Sequence, residues 1–150
     1  MASQLVQSIR TTFEAKDLTN RLCSIKDGLS KSLELEELLN HHLTASEKHL
    51  LLLDLAIPHG SKNKLSSQTA RLADIIKTIT ALPVMTMETA ITPSVRLTHL
   101  IADKLANAFP GIQILIETKV KAGLVGGAVF CFKGRRYDYS LAKKMKNENF

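Results

Sequence analysis

Pro83 divides the chain into two periodicities, and this change of period is the strongest constraint on its fold. Before Pro83, apolar residues recur at helical spacing; after it, they alternate or run together as strands do. Leu18, Leu22, Ile25 and Leu29 stand at i, i+4, i+7 and i+11, one face of a helix. Leu5, Ile9 and Phe13 make a shorter stripe ahead of it, and Leu35, Leu38 and Leu39 extend the pattern behind it. Gly28 weakens the middle of this helix without breaking it. Thr44-Ala45-Ser46-Glu47 fits a capping box, in which hydroxyl and carboxylate each satisfy a free backbone N–H. From Leu50 to Ile57 the next helix is apolar on nearly every side, so it is buried all round or shared with a partner. Pro58-His59-Gly60 ends it, and a further helix runs through Leu65, Leu72, Ile76 and Ile79.

Beyond Pro83, Val84 to Ile91 reads as a strand. Thr92-Pro93 predicts an N-cap and a first-turn proline for a helix whose inner face is Leu97, Leu100, Ile101, Leu105 and Ala108. Pro110-Gly111 stops that helix. Ile112, Ile114, Ile116, Thr118 and Val120 then alternate with other residues, as in a strand with one buried face. Gly123 to Gly127 is a loop, and Ala128 to Phe132 is apolar throughout, as a central strand is. Lys133-Gly134 predicts a tight hairpin returning through Arg135, Arg136 and Tyr137, and residues 139–146 a short basic helix. The fold class is α+β: an N-terminal α-helical bundle over residues 1–82, then a small α+β domain over 83–150 with a sheet of three to four strands.

Aromatic residues are only 5% of the chain and Trp is absent, so the core is built from Leu, Ile, Val, Ala and Met, which suits helix packing. Charge is uneven. Residues 1–56 hold 6 Lys/Arg against 8 Asp/Glu, whereas residues 111–150 hold 8 against 3. The basic rear suits an acidic partner. Cys23 and Cys131 are far apart and form no CxxC pair, which fits a reducing compartment and two ordinary apolar residues. The start lacks an apolar block of signal-peptide length, and Leu50–Leu53 is far short of a membrane span.

Every sharp chemical reading meets a plainer one. His41, His42 and His49 lack metal-site spacing and a cysteine partner, and are expected to be uncoordinated. Burial would make Cys23 and Cys131 inert. Gly123-Leu124-Val125-Gly126-Gly127 lacks the Lys-Ser/Thr ending of a phosphate loop, so its glycines are assigned a backbone role. Lys133, Arg135, Arg136, Lys143, Lys144 and Lys146 could bind nucleic acid, but no RNA-recognition or helix-turn-helix signature accompanies them. Asp138 is expected to cap the last helix near Leu141. No nucleophile–base pair is visible, so no catalysis and no cofactor are expected.

The rear of the chain resembles the delta subunit of F-type ATP synthases, the oligomycin-sensitivity-conferring protein family, as a short and divergent member. The resemblance rests on an ordered set over residues 84–146. Glu88-Thr89-Ala90 ends a strand, a helix follows from Pro93, and Ile112–Val120 is the next strand. Leu124-Val125-Gly126-Gly127 makes the turn, Ala128–Gly134 follows, and Asp138-Tyr139-Ser140 closes the set. Tyr139 stands where the family has glycine, and Lys121-Ala122 where it has an acidic residue and proline. In the front half, Thr44–Leu55 resembles a family helix that begins Ser/Thr-x-x-Glu-Lys.

The resemblance implies a non-catalytic stator part that supports proton-driven ATP synthesis. Its helical domain would hold N-terminal helices of the alpha subunits, through a groove including exposed residues among Leu39, Leu43, Leu50 and Leu53. Its rear domain would hold the b-type peripheral stalk subunits, with Thr89, Ala90, Gly126, Gly127, Asp138 and Ser140 as structural motif residues. No nucleic acid would be bound. The chain would sit on the cytoplasmic face of the bacterial inner membrane, touching the membrane only through the complex. The alternative is a small basic nucleic-acid-binding protein. The E subunit of vacuolar-type ATPases also carries a Gly-Gly strand, but begins with a long charged helix unlike this apolar, interrupted front.

Overall fold

The computed structural model describes residues 3–55 and 64–147. Over these residues the protein is α+β, with seven helices and one four-stranded mixed sheet; helices lead and strands follow. It forms two compact units, one of Met1–Ile9 with Glu14–Ala81, the other of Arg10–Phe13 with Leu82–Phe150.

The first unit contains helices α1 (Gln4–Gln7), α2 (Thr12–Ser30, from Glu14 on), α3 (Leu35–His42), α4 (Ala45–Asp54) and α5 (Lys64–Thr80). The stripe Leu18, Leu22, Ile25 and Leu29 is buried as its spacing requires, and joins Leu5, Leu39, Leu51 and Leu72 in the core. Asp54 holds α1 in place, accepting hydrogen bonds from the Ser3 hydroxyl and from the Gln4 and Leu5 N–H groups. The helix α2 runs through Gly28, where a Cβ would meet the Leu38 side chain at 2.6 Å; this glycine lets α3 approach. Ser32, at φ 63°, then closes α2 as Leu33 N–H donates to Gly28 C=O at 3.2 Å.

The capping box of α4 forms in both directions, and Glu47 extends it by a two-pronged ion pair with Arg21 at 2.8 Å. The apolar run of α4 is not buried all round. Leu51 and Leu55 point into the core, Leu50 is half-buried, and Leu52 and Leu53 are exposed. Ala56, Ile57 and the Pro58-His59-Gly60 break lie outside the described residues. On α5 Leu72 and Ile79 of the expected stripe are buried, and Gln68 and Ile75 join them in place of Leu65 and Ile76. Ile76 falls at the edge of this buried face, and Leu65, on the first turn, is exposed.

The second unit contains β1 (Val84–Thr89), α6 (Val95–Ala108), β2 (Leu115–Val120), β3 (Gly127–Phe132), β4 (Arg135–Ser140) and α7 (Leu141–Asn147). The sheet order is β2-β1-β3-β4, so the apolar β3 is an inner strand as expected. The pair β1–β2 is parallel and spanned by α6, while β1–β3 and β3–β4 are antiparallel. This register puts Met85, Met87, Ile116, Phe130 and Tyr137 on one face of the sheet. Met87, Ala102 and Ile116 form the centre of the core, packed by Ile101, Leu105, Ala128 and Phe130. Lys133 and Gly134 both have positive φ, 47° and 75°, the two-residue hairpin expected from their sequence.

Four expectations need correction in this unit. The helix α6 starts later than Thr92-Pro93: Ser94 is its N-cap, the hydroxyl accepting from Leu97 N–H at 3.2 Å. Its buried face is Thr98 and Ala102 with Ile101 and Leu105, leaving Leu97, Leu100 and Ala108 exposed. The strand β2 begins only at Leu115, and Ile114, Leu115 and Ile116 are buried in succession while Ile112 and Val120 are exposed. Phe13 does not continue the Leu5–Ile9 stripe. Arg10 and Thr11 run along the edge of β2, where Ile116 N–H donates to Arg10 C=O at 3.0 Å, and Phe13 is exposed.

Candidate functional site

The structural-motif residues come from three separated stretches, and the sheet brings them to one end. Thr89 is paired with Val120 on one side and Ala128 on the other, and Gly127 with Ser140. Thr89 C=O accepts from Lys121 N–H at 2.8 Å, and its hydroxyl donates to Ile91 C=O at 2.7 Å, so the turn at Ala90 is fixed on both sides. Gly126 C=O accepts from Leu141 N–H at 2.9 Å, tying the loop to the start of α7.

The two glycines have different duties. Gly127 has φ 78°, and a Cβ there would collide with Tyr139 C=O and lie 3.0 Å from Ser140 Cα. At Gly126 a Cβ would meet Leu141 no closer than 3.7 Å, an ordinary contact. The position that only glycine fits is therefore Gly127, where β3 enters the sheet beside β4.

Asp138 does not cap α7 directly. Its carboxylate accepts from Ser140 N–H at 2.9 Å, and the Ser140 hydroxyl accepts from Lys143 N–H at 3.3 Å, so Ser140 is the cap. Hydrogen bonding from Ser140, with Arg136 and Lys143 nearby, lowers the Asp138 pKa. Ser140 is buried, and a turn of this kind positions backbone rather than performing chemistry. Around this end stand exposed Ile91, Val120, Val125, Tyr139 and Leu141.

The expected head-binding leucines separate. Leu39 and Leu43 are buried and cannot touch a partner while the unit is folded, Leu50 is half-buried, and only Leu53 is exposed. Among the described residues the first unit offers two open grooves: one of about 590 Å³ lined by Leu53 with Ser3, Asp54, Arg71, Asp74 and Ile75, and one of about 500 Å³ between α2 and α5, lined by Lys26, Leu29, Ser30, Leu65, Thr69 and Ala70. Leu65 was legible as an apolar helix residue; that it lies open was not.

The remaining candidates stay apart. His41 and His42 stack on each other with ring centroids 5.0 Å apart, and no group of three His, Cys, Asp or Glu among the described residues could hold a metal ion. Cys23 and Cys131 are both free and only half-buried, less enclosed than their apolar neighbours suggested. Lys133, Arg135, Arg136, Lys143, Lys144 and Lys146 are exposed, and Lys133 lies over the Phe132 ring at 5.4 Å. No helix among the described residues is long and apolar enough to cross a membrane. Arg21, which anchors α2 to the cap of α4, had no sequence signal, because its partner lies 26 residues away. Comparison with known proteins returns no matching family model and no matching curated relative.

Proposed function

We propose that this chain is a non-catalytic stator part of an F-type ATP synthase, joining the catalytic head to the peripheral stalk. The observation that carries this reading is the convergence at one end of the sheet. Thr89-Ala90, Gly126-Gly127 and Asp138-Tyr139-Ser140 are the pieces on which the family resemblance rests, and each has a backbone duty in the same place. A motif kept for backbone geometry fits a part that holds other chains. The helical unit, with its open groove between α2 and α5, would take alpha-subunit N-terminal helices. The basic second unit would take b-type stalk helices, and the membrane would be reached only through the complex.

The deciding experiment is affinity purification of the chain from its native cells at moderate salt, with identification of co-eluting chains. Alpha and b-type subunits are the expected company. Recovery of nucleic acid that dissociates steeply with salt would favour the small nucleic-acid-binding protein instead, for which exposed Tyr137 and Tyr139 beside Arg135 supply rings and charge.

A further inference from the structure

The two outer strands of the second unit's sheet end differently. Beyond β2 the chain lays Arg10 and Thr11 alongside, and Ile116 N–H donates to Arg10 C=O at 3.0 Å, so that edge is covered. Beyond β4 no described strand follows. Yet β4 is as long as the inner strands β1 and β3, six residues each, and its Arg135, Arg136 and Tyr137 are exposed. An open edge of this length is a template for another strand.

The free backbone groups of that edge follow from the ladder. Along a strand in an antiparallel pair, residues alternate between bonding to the facing strand and pointing away from it. Leu141 N–H donates to Gly126 C=O at 2.9 Å, and this pair continues the β3–β4 register past Gly127 and Ser140. Tyr139, Tyr137 and Arg135, at steps of two from Leu141, therefore bond inward to β3. Arg136, Asp138 and Ser140 turn their N–H and C=O groups outward. The outward N–H of Ser140 already donates to the Asp138 carboxylate at 2.9 Å. The open part of the edge is thus the backbone of Arg136 and Asp138.

The side chains of β4 complement themselves about Tyr137. A two-fold axis normal to the sheet keeps both sheet faces on their own sides, so each residue must oppose one from its own face. Arg135, Tyr137 and Tyr139 share one face, and Arg136 and Asp138 the other. Centred on Tyr137, the axis sets Arg136 against Asp138 of a second copy, and Arg135 against Tyr139 of that copy, with the two Tyr137 rings side by side. Centred on Arg136 it would oppose two arginines, and centred on Asp138 two aspartates, so charge selects the Tyr137 register. In that register the outward N–H and C=O groups of Arg136 bond those of Asp138 across the axis. Arg136 also gains a closer carboxylate, since in its own chain Nη2 lies 4.0 Å from Asp138 Oδ2, long for an ion pair. Arg135 comes to lie over an aromatic ring. We infer that β4 is the interface of a two-fold dimer, in which a second copy of this chain adds its own β4 antiparallel and joins the two four-stranded sheets into one. Such pairing of the free chain needs no ATP synthase partner, so it stands apart from the stator reading.

Sedimentation of the full chain over a concentration series tests this, because one copy has a mass of 16.5 kDa and the dimer twice that. Wild type should move toward the dimer as concentration rises. Arg136→Glu opposes two acids and Asp138→Lys two bases, so each variant alone should dimerise at least about tenfold more weakly. An equal mixture of the two should recover that loss, because every opposed pair in the mixed dimer again has opposite charges. Arg136→Pro removes an outward N–H and no bond to β3, and should likewise leave a monomer. Lys104→Glu, on α6, makes the same charge change as Arg136→Glu away from β4 and should leave the dimer unchanged. Circular dichroism and thermal unfolding check each fold, since Asp138 also holds the Ser140 N–H. Should Asp138→Lys fail to fold, the loss in Arg136→Glu and Arg136→Pro, against an unchanged Lys104→Glu, decides the matter. A wild type of one mass at every concentration overturns the dimer. A dimer as tight in Arg136→Glu and Arg136→Pro as in wild type also overturns it, as does a mixture of folded variants no tighter than either alone.

Discussion

Gly127 lies so close to the backbone of Tyr139 that no Cβ fits between them, and its φ of 78° belongs to a region that side chains avoid. Gly126, the residue before it, has ordinary contacts and room for a methyl group. Strain and collision both act at the second glycine only. Gly127→Val should cost roughly 3 kcal/mol or more, and Gly126→Ala less than about 1 kcal/mol. Because the contacted atoms are backbone of β4, damage should centre on the second unit: if the proposed stator role holds, Gly127→Val loses stalk binding while the helical unit still binds an alpha-subunit peptide. Thermal unfolding with both binding assays checks this. Wild-type stability for Gly127→Val would show that the turn takes side chains, and would remove a main support of the family resemblance.

A second close approach joins two helices of the first unit. A Cβ at Gly28 would sit 2.6 Å from one Leu38 methyl carbon and 2.8 Å from the other. Both are the ends of a flexible side chain, but Leu38 is itself buried. Gly28→Val should therefore destabilise by about 1–3 kcal/mol through overpacking, despite valine's better helix propensity. Shortening the partner makes the test specific. In a double-mutant cycle, Gly28→Val should cost less on a Leu38→Ala background than on wild type, and additive effects would place the strain elsewhere.

Much of this architecture was legible in sequence because it rests on local signals. The stripe from Leu18 to Leu29, the Thr44–Glu47 box and the Lys133-Gly134 hairpin each need only neighbours in the chain, and each formed as read. The glycine role of Gly127 was legible for the same reason, although which of the pair carries it depends on β4, which is distant in sequence. What stayed hidden is what tertiary packing decides. On α6 the apolar period marks Leu97 and Leu100 as inner residues, yet the sheet takes Thr98 and Ala102, whose small size allows close approach. Leu39 and Leu53 look alike in sequence, but one is enclosed and the other open. The Arg10–Thr11 edge contact joins residues more than a hundred positions apart and leaves no periodic trace.

The Arg21–Glu47 pair makes stability depend on pH. Hydrogen bonding from Arg21, then from Thr44, lowers the Glu47 pKa from 4.5 to about 2. A depressed carboxylate contributes stability that is fully present above its unfolded value, near 4.5, and is lost as pH falls through the folded value, near 2. Wild type should therefore lose stability across that window from this group. Glu47→Ala removes both the cap and the ion pair, and should cost about 2 kcal/mol at pH 7. Its unfolding free energy should fall less steeply between pH 4.5 and 2 than that of wild type, as urea titrations at stepped pH would reveal. Parallel curves for the two proteins would mean that the pair does not hold the proton off Glu47.

The leucines once grouped as a docking surface now divide into two kinds with opposite expected behaviour. Leu39 is fully enclosed, so Leu39→Asp puts an unpaired charge in the core, and should cost about 3 kcal/mol or more. Any loss of partner binding in that variant follows from unfolding. Leu53 and Leu65 are 49% and 47% exposed, so Leu53→Asp and Leu65→Asp should change stability by less than about 1 kcal/mol. They differ in position: Leu65 lines the groove between α2 and α5, and Leu53 does not. If alpha-subunit helices dock in that groove, Leu65→Asp should weaken an alpha N-terminal peptide by at least about 1–2 kcal/mol, because a charge would face apolar surface in the complex. Leu53→Asp should leave that affinity near wild type. Titration calorimetry on folded variants separates the cases, and the reverse pattern, with Leu53 sensitive and Leu65 silent, would move the head contact from the α2–α5 groove to the open side of α4.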